Sequence, residues 1–592
     1  MERDARRSAN ERRPELERLL GNVALFEGLD EAALSAICGE LDWFALPGGA
    51  FLFRQNEPSD ALYIVASGSL DATIELPDGT IHSAGRIGPG ETAGEMGFLS
   101  GSPRTATLRA LRDCELVRFD LGDFEALIHR HPTTMLKVAR VVARRLEVAQ
   151  SAKVGDAPMR SFALLPHNGA TPVADVARCL AAAFGGLGRV VLIEREQGEA
   201  RTSDWFAGVE AANDVALYVA DADASPWTQL CLRQADCVLL VAHAHDAPSP
   251  WASLVRSGES GALHARIELL LLNNGEIRAG TERWLKLHAI DRHHHISGRA
   301  DHDRIARVLA GQGMALVLSG GGARGFAHLG VVKALREAGI VIDMIGGNSM
   351  GAIIGAGVAA GWDDITLQAR VKQAFVDTNP LSDFTLPFVS LVGGHKVSRL
   401  LRDAFGDATI EDLRLPFFCT SANLTRGAVA IHRDGLLWRW LRASVAIPGV
   451  LPPVFDHHEV FVDGGVINNL PVDVMRAGGR CRVIGVDVVS DHTFTADSDG
   501  PDLPPVWRLF RPWRDRKIPS LLQILWRAGT VNSDAAAIAA HAKADLLLQP
   551  PLASVDLLNW KAFDKAVDIG YRHTAEQLAK SPPGVLGSFV RV

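Results

Sequence analysis

The chain lacks several signatures from which function is commonly read. Its seven cysteines (Cys38, Cys114, Cys179, Cys231, Cys237, Cys419 and Cys481) form no C-x-x-C pair. An odd, dispersed set argues against a disulfide framework and for a reducing compartment. No H-E-x-x-H stands anywhere, so no metal site of that kind is expected. No run of about 18 uninterrupted apolar residues occurs, so no membrane span is expected. The nearest candidate, GAIIGAGVAAG from Gly351, is too short and too rich in glycine. The first twenty residues, MERDARRSANERRPELERLL, are charged throughout and have no apolar core, so they are not a secretory signal. Nor is there a basic excess: 61 Lys and Arg face 69 Asp and Glu, a net charge of −8, which gives no reason to expect nucleic acid. These absences describe a cytoplasmic protein that would meet any lipid from the water side, at most peripheral to a membrane.

What is present is enough for several cores. The 592 residues suggest three to five domains at about 100–200 residues each. With 47% hydrophobic and 22% charged residues, the composition is that of a globular protein. A polar arm occupies 1–20. From Leu46 to Phe119, short β-type runs (FLFR, ALYIVASGSLDATIEL, ATLRAL, CELVRFD) alternate with glycine and proline turns, as in a small β-roll. Phe124 to Glu147 has helical spacing, interrupted at Pro132, and completes a domain over 21–150. After a linker at Gln150, continuous apolar runs alternate with helical stretches: SFALLP, RVVLIE, VALYVAD, CVLLVA and IELLLLN. Such runs suit buried parallel strands, so 161–305 reads as a doubly wound, degenerate Rossmann-like α/β domain. That region has no GxxxxGK[ST] and no GxGxxG, and no nucleotide is expected there. A third α/β region fills 312–580. It opens with the strand MALVLS, a glycine loop, a helix and the strand VIDMI.

Two motifs in this last region carry chemistry. Gly320-Gly321-Gly322-Ala323-Arg324-Gly325 lies between a strand and a helix, where backbone N–H groups and a helix N-terminus can face an anion. Alone it fits a dinucleotide fingerprint, with Asp343 about where a ribose-binding acid would stand, or a bare βα turn. The second motif decides. Gly347-Asn348-Ser349-Met350-Gly351 fits G-x-S-x-G between a strand and a helix, the setting of a nucleophile elbow. A dinucleotide site leaves Ser349 unexplained. An esterase explains both motifs, with the upstream loop supplying the oxyanion hole. A serine needs a base. Asp463-Gly464-Gly465 follows the apolar run VFV, and an aspartate beside two glycines can approach another backbone closely. The histidines are weaker candidates: His328 follows the glycine loop, His457 and His458 sit in a polar turn, and His293 to His295 form a run whose neighbours cannot share a face. They read as structural.

The arrangement GGGARG, GNSMG, DGG resembles the patatin-like phospholipase family, and ALVLSGGGARGFAHLGVVKALREAGI, LRASVAIPGVLPPV and DGGVINNLPVDVMRAGG resemble further family blocks. WTQLCLRQADCVLLVA and the tail ADLLLQPP…GYRHT are similar to the neuropathy target esterase branch. The resemblance covers roughly Ser161 to Lys580. It implies a patatin-like α/β hydrolase fold and a Ser–Asp dyad without histidine: Ser349 as nucleophile, Asp463 as general base, Gly320 to Gly325 as oxyanion loop, with help from Arg324 and the Met350 N–H. It also implies a (lyso)phospholipid substrate, met at a membrane or micelle surface, and no cofactor for catalysis.

The N-terminal region carries its own signature. Gly94-Glu95-Met96-Gly97-Phe98-Leu99, followed by Pro103-Arg104-Thr105-Ala106-Thr107, suits a cyclic phosphate clamped by helix N–H groups and one guanidinium. It resembles the phosphate cassette of cyclic-nucleotide-binding domains. That resemblance assigns the ribose to Glu95 and the phosphate to Arg104, with Gly94 opening the cassette and Thr105 beside it, and cAMP or cGMP as a regulatory ligand. WRLFRPWRDRKIPSLLQILW, from Trp507 to Trp526, reads either as a packed helix or as a surface for anionic lipid. A catalytically silent, nucleotide-responsive scaffold is the rival to the esterase reading, and intact Ser349 and Asp463 argue against it. Oligomeric state is not legible.

Overall fold

The computed structural model describes residues 41–75, 81–94, 101–120, 159–251, 266–489 and 533–580, less the single positions 202, 278, 387 and 480, with a few isolated positions outside these ranges. The polar arm, Glu95, the expected helix Phe124–Glu147, the linker at Gln150 and the segment Trp507–Trp526 lie outside the described residues. The chain forms two compact units. The first holds 1–272 and 284–310, and the second 273–283 and 311–592.

The first unit begins with a β-roll. Its strands are β1 (Asp42–Leu46), β2 (Phe51–Phe53), β3 (Ala61–Ser67), β4 (Leu70–Glu75), β5 (Ile81–Ile87), β6 (Thr92–Ala93), β7 (Thr107–Ala110) and β8 (Cys114–Asp120). They make two four-stranded antiparallel sheets, ordered β1-β8-β3-β6 and β2-β7-β4-β5. The long run ALYIVASGSLDATIEL divides into β3 and β4 at Gly68, whose φ of +94° a β-carbon would oppose. Phe53, Val65, Leu70, Leu108 and Leu116 fill the space between the sheets.

A parallel sheet follows: β9 (Ser161–Pro166), β10 (Val190–Ile193), β11 (Val215–Val219), β12 (Cys237–His243), β13 (Arg266–Leu272) and β14 (Arg292–Ile296). Their order, β10-β11-β9-β12-β13-β14, is doubly wound. The helices Val173–Gly185 and Arg299–Leu309 share one core with the sheet. Helix Pro226–Gln234 contributes to a second core, which contains Phe206, Trp227, Trp251 and Trp284. Five of the strands coincide with the apolar runs. The sixth, β14, is the histidine run RHHHI, which no hydrophobic pattern marks. It is stabilised by polar pairing: the His294 Nε2 lies 2.7 Å from the buried Glu268 carboxylate on β13, and Arg304 donates to the His295 carbonyl at 2.9 Å. In the turn before β8, Arg112 is buried against the carboxylates of Glu210 (2.5 Å) and Asp236 (3.1 Å), linking the roll to this sheet.

The second unit is built on an eight-stranded mixed sheet: β15 (Met314–Leu318), β16 (Met344–Asn348), β17 (Phe417–Asn423), β18 (Ala428–His432), β19 (Val454–Asp456), β20 (Glu459–Asp463), β21 (Arg482–Val486) and β22 (Leu546–Leu548). The order is β19-β20-β17-β16-β15-β21-β22, with β18 also on β17. β16 starts at Met344, three residues later than the run VIDMI suggests. Asp343 is the reason: its buried carboxylate accepts the Met314 N–H at 2.9 Å, which ties the entry of β16 to the start of β15. An acid engaged in this way is no ribose ligand, so the dinucleotide reading of the glycine loop falls with it.

Helix Met350–Ala359 is buried along its whole length, which is why GAIIGAGVAAG looks so apolar. Among the described residues no helix is long and apolar enough to cross a membrane. Helices Ala327–Glu337 and Phe563–Lys580 cross at two glycines. A β-carbon on Gly330 would collide with the Val567 carbonyl, and one on Gly570 with the Ala327 carbonyl. Gly330→Ala is therefore expected to destabilise this unit by about 1–3 kcal/mol, the range for overpacking. A denaturation midpoint equal to wild type would refute that crossing.

Candidate active site

Sheet register brings the two chemical motifs together. β16 and β17 run parallel with Asn348 opposite Thr420. β20 runs antiparallel to β17 with Asp463 opposite Ser421. Asp463 thus ends its strand at the level where β16 ends, one strand away, although 114 residues separate it from Ser349.

Ser349 occupies the turn between β16 and the buried helix with φ +51° and ψ −123°. Positive φ is costly for any residue with a β-carbon, and the surroundings impose it here. A β-carbon on Gly351 would lie 2.5 Å from the carbonyls of Leu318 and Ser319, and one on Gly347 would lie 2.8 Å from the Gly351 carbonyl carbon. Both glycines of the motif are steric requirements. The Ser349 N–H donates to the Ser444 hydroxyl at 2.8 Å. Its own hydroxyl donates to Asp463 Oδ2 at 2.7 Å.

Asp463 is fully enclosed. Its Oδ1 accepts the Gly465 N–H at 2.8 Å and the Asn348 side-chain amide at 3.2 Å. Burial pushes its carboxyl up to about 6, and the hydrogen bonds from Ser349, Gly465 and Asn348 oppose that rise. A carboxylate of this basicity, one hydrogen bond from a strained serine, can take the serine proton near neutral pH. Gly464 leaves room for Asn348 and Thr420.

The glycine loop lies against the serine from the other side. A β-carbon on Gly320 would stand 3.0 Å from the Ser349 β-carbon, and one on Gly325 would overlap the Met350 side chain. The Gly320 N–H reaches the Asn469 carbonyl, the Ala323 N–H the Leu557 carbonyl, and the Arg324 N–H the Gly321 carbonyl. The N–H groups of Gly321, Gly322 and Met350 find no acceptor among the described residues. These three can serve a developing oxyanion. The buried Arg324 Nε donates to the Val555 carbonyl at 2.6 Å, which ties the loop to that segment.

Among the described residues no histidine is hydrogen-bonded to Ser349. His328 is buried with Nε2 2.9 Å from the Ser319 carbonyl, and burial pushes it down to about 4, so it is neutral. His457 and His458 are exposed in the turn before β20, and His293 to His295 lie in β14 of the other unit. Among the described residues no group of His, Cys, Asp and Glu could hold a metal. Sequence reasoning missed three supporting side chains. Ser444 donates to Asn348 Oδ1 at 3.3 Å as well as holding the elbow. Thr420 reaches the same oxygen at 3.4 Å. Asn469 touches both the Asn348 amide and the Gly320 carbonyl, at 3.3 Å each. Ser444 and Asn469 fall inside the quoted blocks LRASVAIPG and DGGVINN, which was the available signal.

In the β-roll, Gly94 (φ +85°) stands over Arg104: a β-carbon there would strike the guanidinium. Arg104 is buried, donating to the carbonyls of Gly94 (3.3 Å) and Ala61 (2.9 Å) and to Asp60 (3.3 Å), with its guanidinium 4.1 Å above the Phe53 ring. Thr105 is exposed beside it.

Residues 316–476 match the family model for patatin-like phospholipases. The chain carries a patatin-like phospholipase domain. The matched span contains the elbow, the glycine loop and Asp463. Residues 43–131 match the cyclic nucleotide-binding domain, and residues 158–311 the neuropathy target esterase family P-loop like domain. Three similar curated proteins are the lysophospholipase nte1 of Aspergillus fumigatus, the human patatin-like phospholipase domain-containing protein 6 and the neuropathy target esterase sws of Drosophila melanogaster. The first is 31% identical over 91% of this chain and 42% of its own length. The second is 31% identical over 90% and 44%. The third is 30% identical over 93% and 43%. The chain spans less than half the length of these relatives. Within the patatin-like domain, the elbow, the loop and the aspartate meet at one end of the central strands. The roll that contains Arg104 lies in the span that matches the cyclic nucleotide-binding domain.

Proposed function

We propose that the patatin-like domain hydrolyses acyl esters of lysophospholipids or phospholipids through a Ser349–Asp463 dyad. The 2.7 Å bond from the Ser349 hydroxyl to the buried, raised-pKa Asp463 carries this reading. Ser349 Oγ attacks the ester carbonyl carbon while its proton passes to Asp463 Oδ2. The carbonyl oxygen becomes an oxyanion, met by the N–H groups of Gly321, Gly322 and Met350. The tetrahedral intermediate collapses, the C–O bond to the leaving alcohol breaks, and Asp463 returns the proton to that alcohol. Water then attacks the acyl-enzyme, giving one proton to Asp463, and the acid product leaves as Ser349 recovers its hydrogen. An alkoxide leaves more readily than an amine, so a carboxylate suffices as base. Relatives named lysophospholipase favour a single-chain phospholipid. Hydrolysis of a lipid panel by the full chain tests the reading. Absence of fatty-acid release from every lysophospholipid and phospholipid would overturn it.

The β-roll supports a cyclic nucleotide, cAMP or cGMP, held by the cassette at Gly94 and Glu95 with Arg104 as its phosphate anchor and Thr105 at its edge. The buried guanidinium of Arg104, hydrogen-bonded to the Gly94 carbonyl, supports this reading. Truncating one member of a buried charge pair costs on the order of 2–5 kcal/mol. Arg104→Ala is therefore expected to weaken nucleotide binding by that amount in calorimetry, and equal heats for variant and wild type would remove Arg104 from the site.

A further inference from the structure

We infer that the hairpin Asp383–Gly393 of the patatin-like domain is a docking element for a lipid bilayer surface bearing anionic headgroups, which rests on the lipid-esterase reading above. The hairpin is a folded ladder. The Gly393 N–H donates to the Asp383 carbonyl at 2.7 Å, the Thr385 N–H to the Leu391 carbonyl at 3.1 Å, and Phe384 bridges Val392. Its tip nevertheless exposes apolar side chains: Phe384 is 79% exposed, Leu386 72%, Phe388 90% and Val389 62%. With Leu391, these make five of the fourteen large apolar side chains exposed among the described residues, gathered into eight positions. Concentrated apolar exposure marks an interaction site, whereas scattered exposure does not.

The base of the hairpin points to the partner. Val392 is buried, and its N–H donates to the Val450 carbonyl at 3.1 Å, while the Leu391 N–H donates to Gly449 at 2.9 Å. Gly449 and Val450 lie just beyond helix Leu437–Ser444, whose last residue, Ser444, holds the Ser349 N–H. The apolar tip is thus tied by backbone bonds to the segment that supports the nucleophile. On its other side the hairpin runs into helix His395–Phe405, which carries Lys396, Arg399 and Arg402 against Asp403 on the helix and Asp383 at the foot of the hairpin. Lys396 Nζ reaches back to the Ser382 hydroxyl at 2.6 Å, at the foot of the hairpin. Aromatic and aliphatic groups at a tip, with cations behind them, match the apolar interior and anionic headgroups of a membrane surface. An acyl ester resident in that surface would be met by a hairpin whose base is hydrogen-bonded to the segment that follows Ser444.

The test uses the full chain with the triple substitution Phe384→Ser, Leu386→Ser, Phe388→Ser, and vesicles of phosphatidylcholine with a minority of phosphatidylglycerol. Vesicle co-sedimentation is expected to weaken roughly a hundredfold, since three apolar side chains no longer enter the bilayer. Hydrolysis of vesicle-borne lysophospholipid should fall by at least about tenfold, while hydrolysis of a water-soluble p-nitrophenyl ester stays at the wild-type rate. Phe388→Leu alone, which keeps an apolar tip, should retain binding. Unchanged vesicle binding by the triple variant overturns the inference. So does a loss of soluble-ester activity equal to the loss on vesicles, which would make the hairpin part of the catalytic fold. A shift from dimer to monomer with vesicle binding intact also overturns it, because the tip would then cover a second copy. Binding is measured on Ser349→Ala as well, so that a failure of the esterase reading leaves the docking result legible.

Discussion

Ser349→Ala is expected to lower kcat/KM for an acyl ester by roughly 10⁴-fold or more, because a covalent mechanism loses its attacking atom. The substitution leaves the backbone of the elbow undisturbed. Alanine accepts the same φ of +51° as serine, under the same restraint from Gly347, Gly351 and the Ser444 hydroxyl. The lost hydrogen bond to the buried Asp463 costs about 1–3 kcal/mol at most, so the variant should still fold. Turnover of a p-nitrophenyl ester by folded Ser349→Ala at close to the wild-type rate would remove the serine from the chemistry.

Asp463→Asn should cost about 10²–10⁴-fold, the range for removing a general base. The amide keeps the shape of the carboxylate but cannot accept the serine proton. The pH profile adds a second readout. Burial raises Asp463 to about 6, and only its ionised form acts as base. Wild-type kcat/KM should therefore be low in acid, rise as pH passes about 6, and level off above it. Asp463→Asn should lack that rising limb. His328 cannot supply it, since burial holds that ring neutral with a value of about 4 and its Nε2 is bound to the Ser319 carbonyl. A folded, inactive His328→Ala beside an active Asp463→Asn would reverse the assignment.

The elements around the site were legible to different degrees. Parallel strands buried on both faces are written as continuous apolar runs, so β9 to β13 could be read directly. β14 could not, because its stability comes from Glu268 and Arg304 pairing with histidines rather than from apolar side chains. The elbow was readable because its steric demand is local: glycine is needed where Leu318, Ser319 and the turn of helix Met350–Ala359 leave no room. Arg324 shows the opposite case. Its neighbours in sequence belong to the oxyanion loop, yet its side chain turns toward Val555, more than two hundred residues away in the chain.

By itself, the sequence determined the presence of a β-roll, two α/β regions, a serine on a glycine-framed turn and an aspartate before two glycines. All of these are consequences of short-range periodicity and of space within a few residues. Only the tertiary structure decided which groups meet. The antiparallel pairing of β20 on β17 sets Asp463 beside Ser349, and enclosure there raises its basicity. Ser444, Thr420 and Asn469 close around Asn348 from three separate segments. Phe384, Leu386 and Phe388, unremarkable in the sequence, stand out in water on a hairpin tied to the same core. Register, burial and exposure depend on residues distant in the chain, and a linear pattern does not carry them.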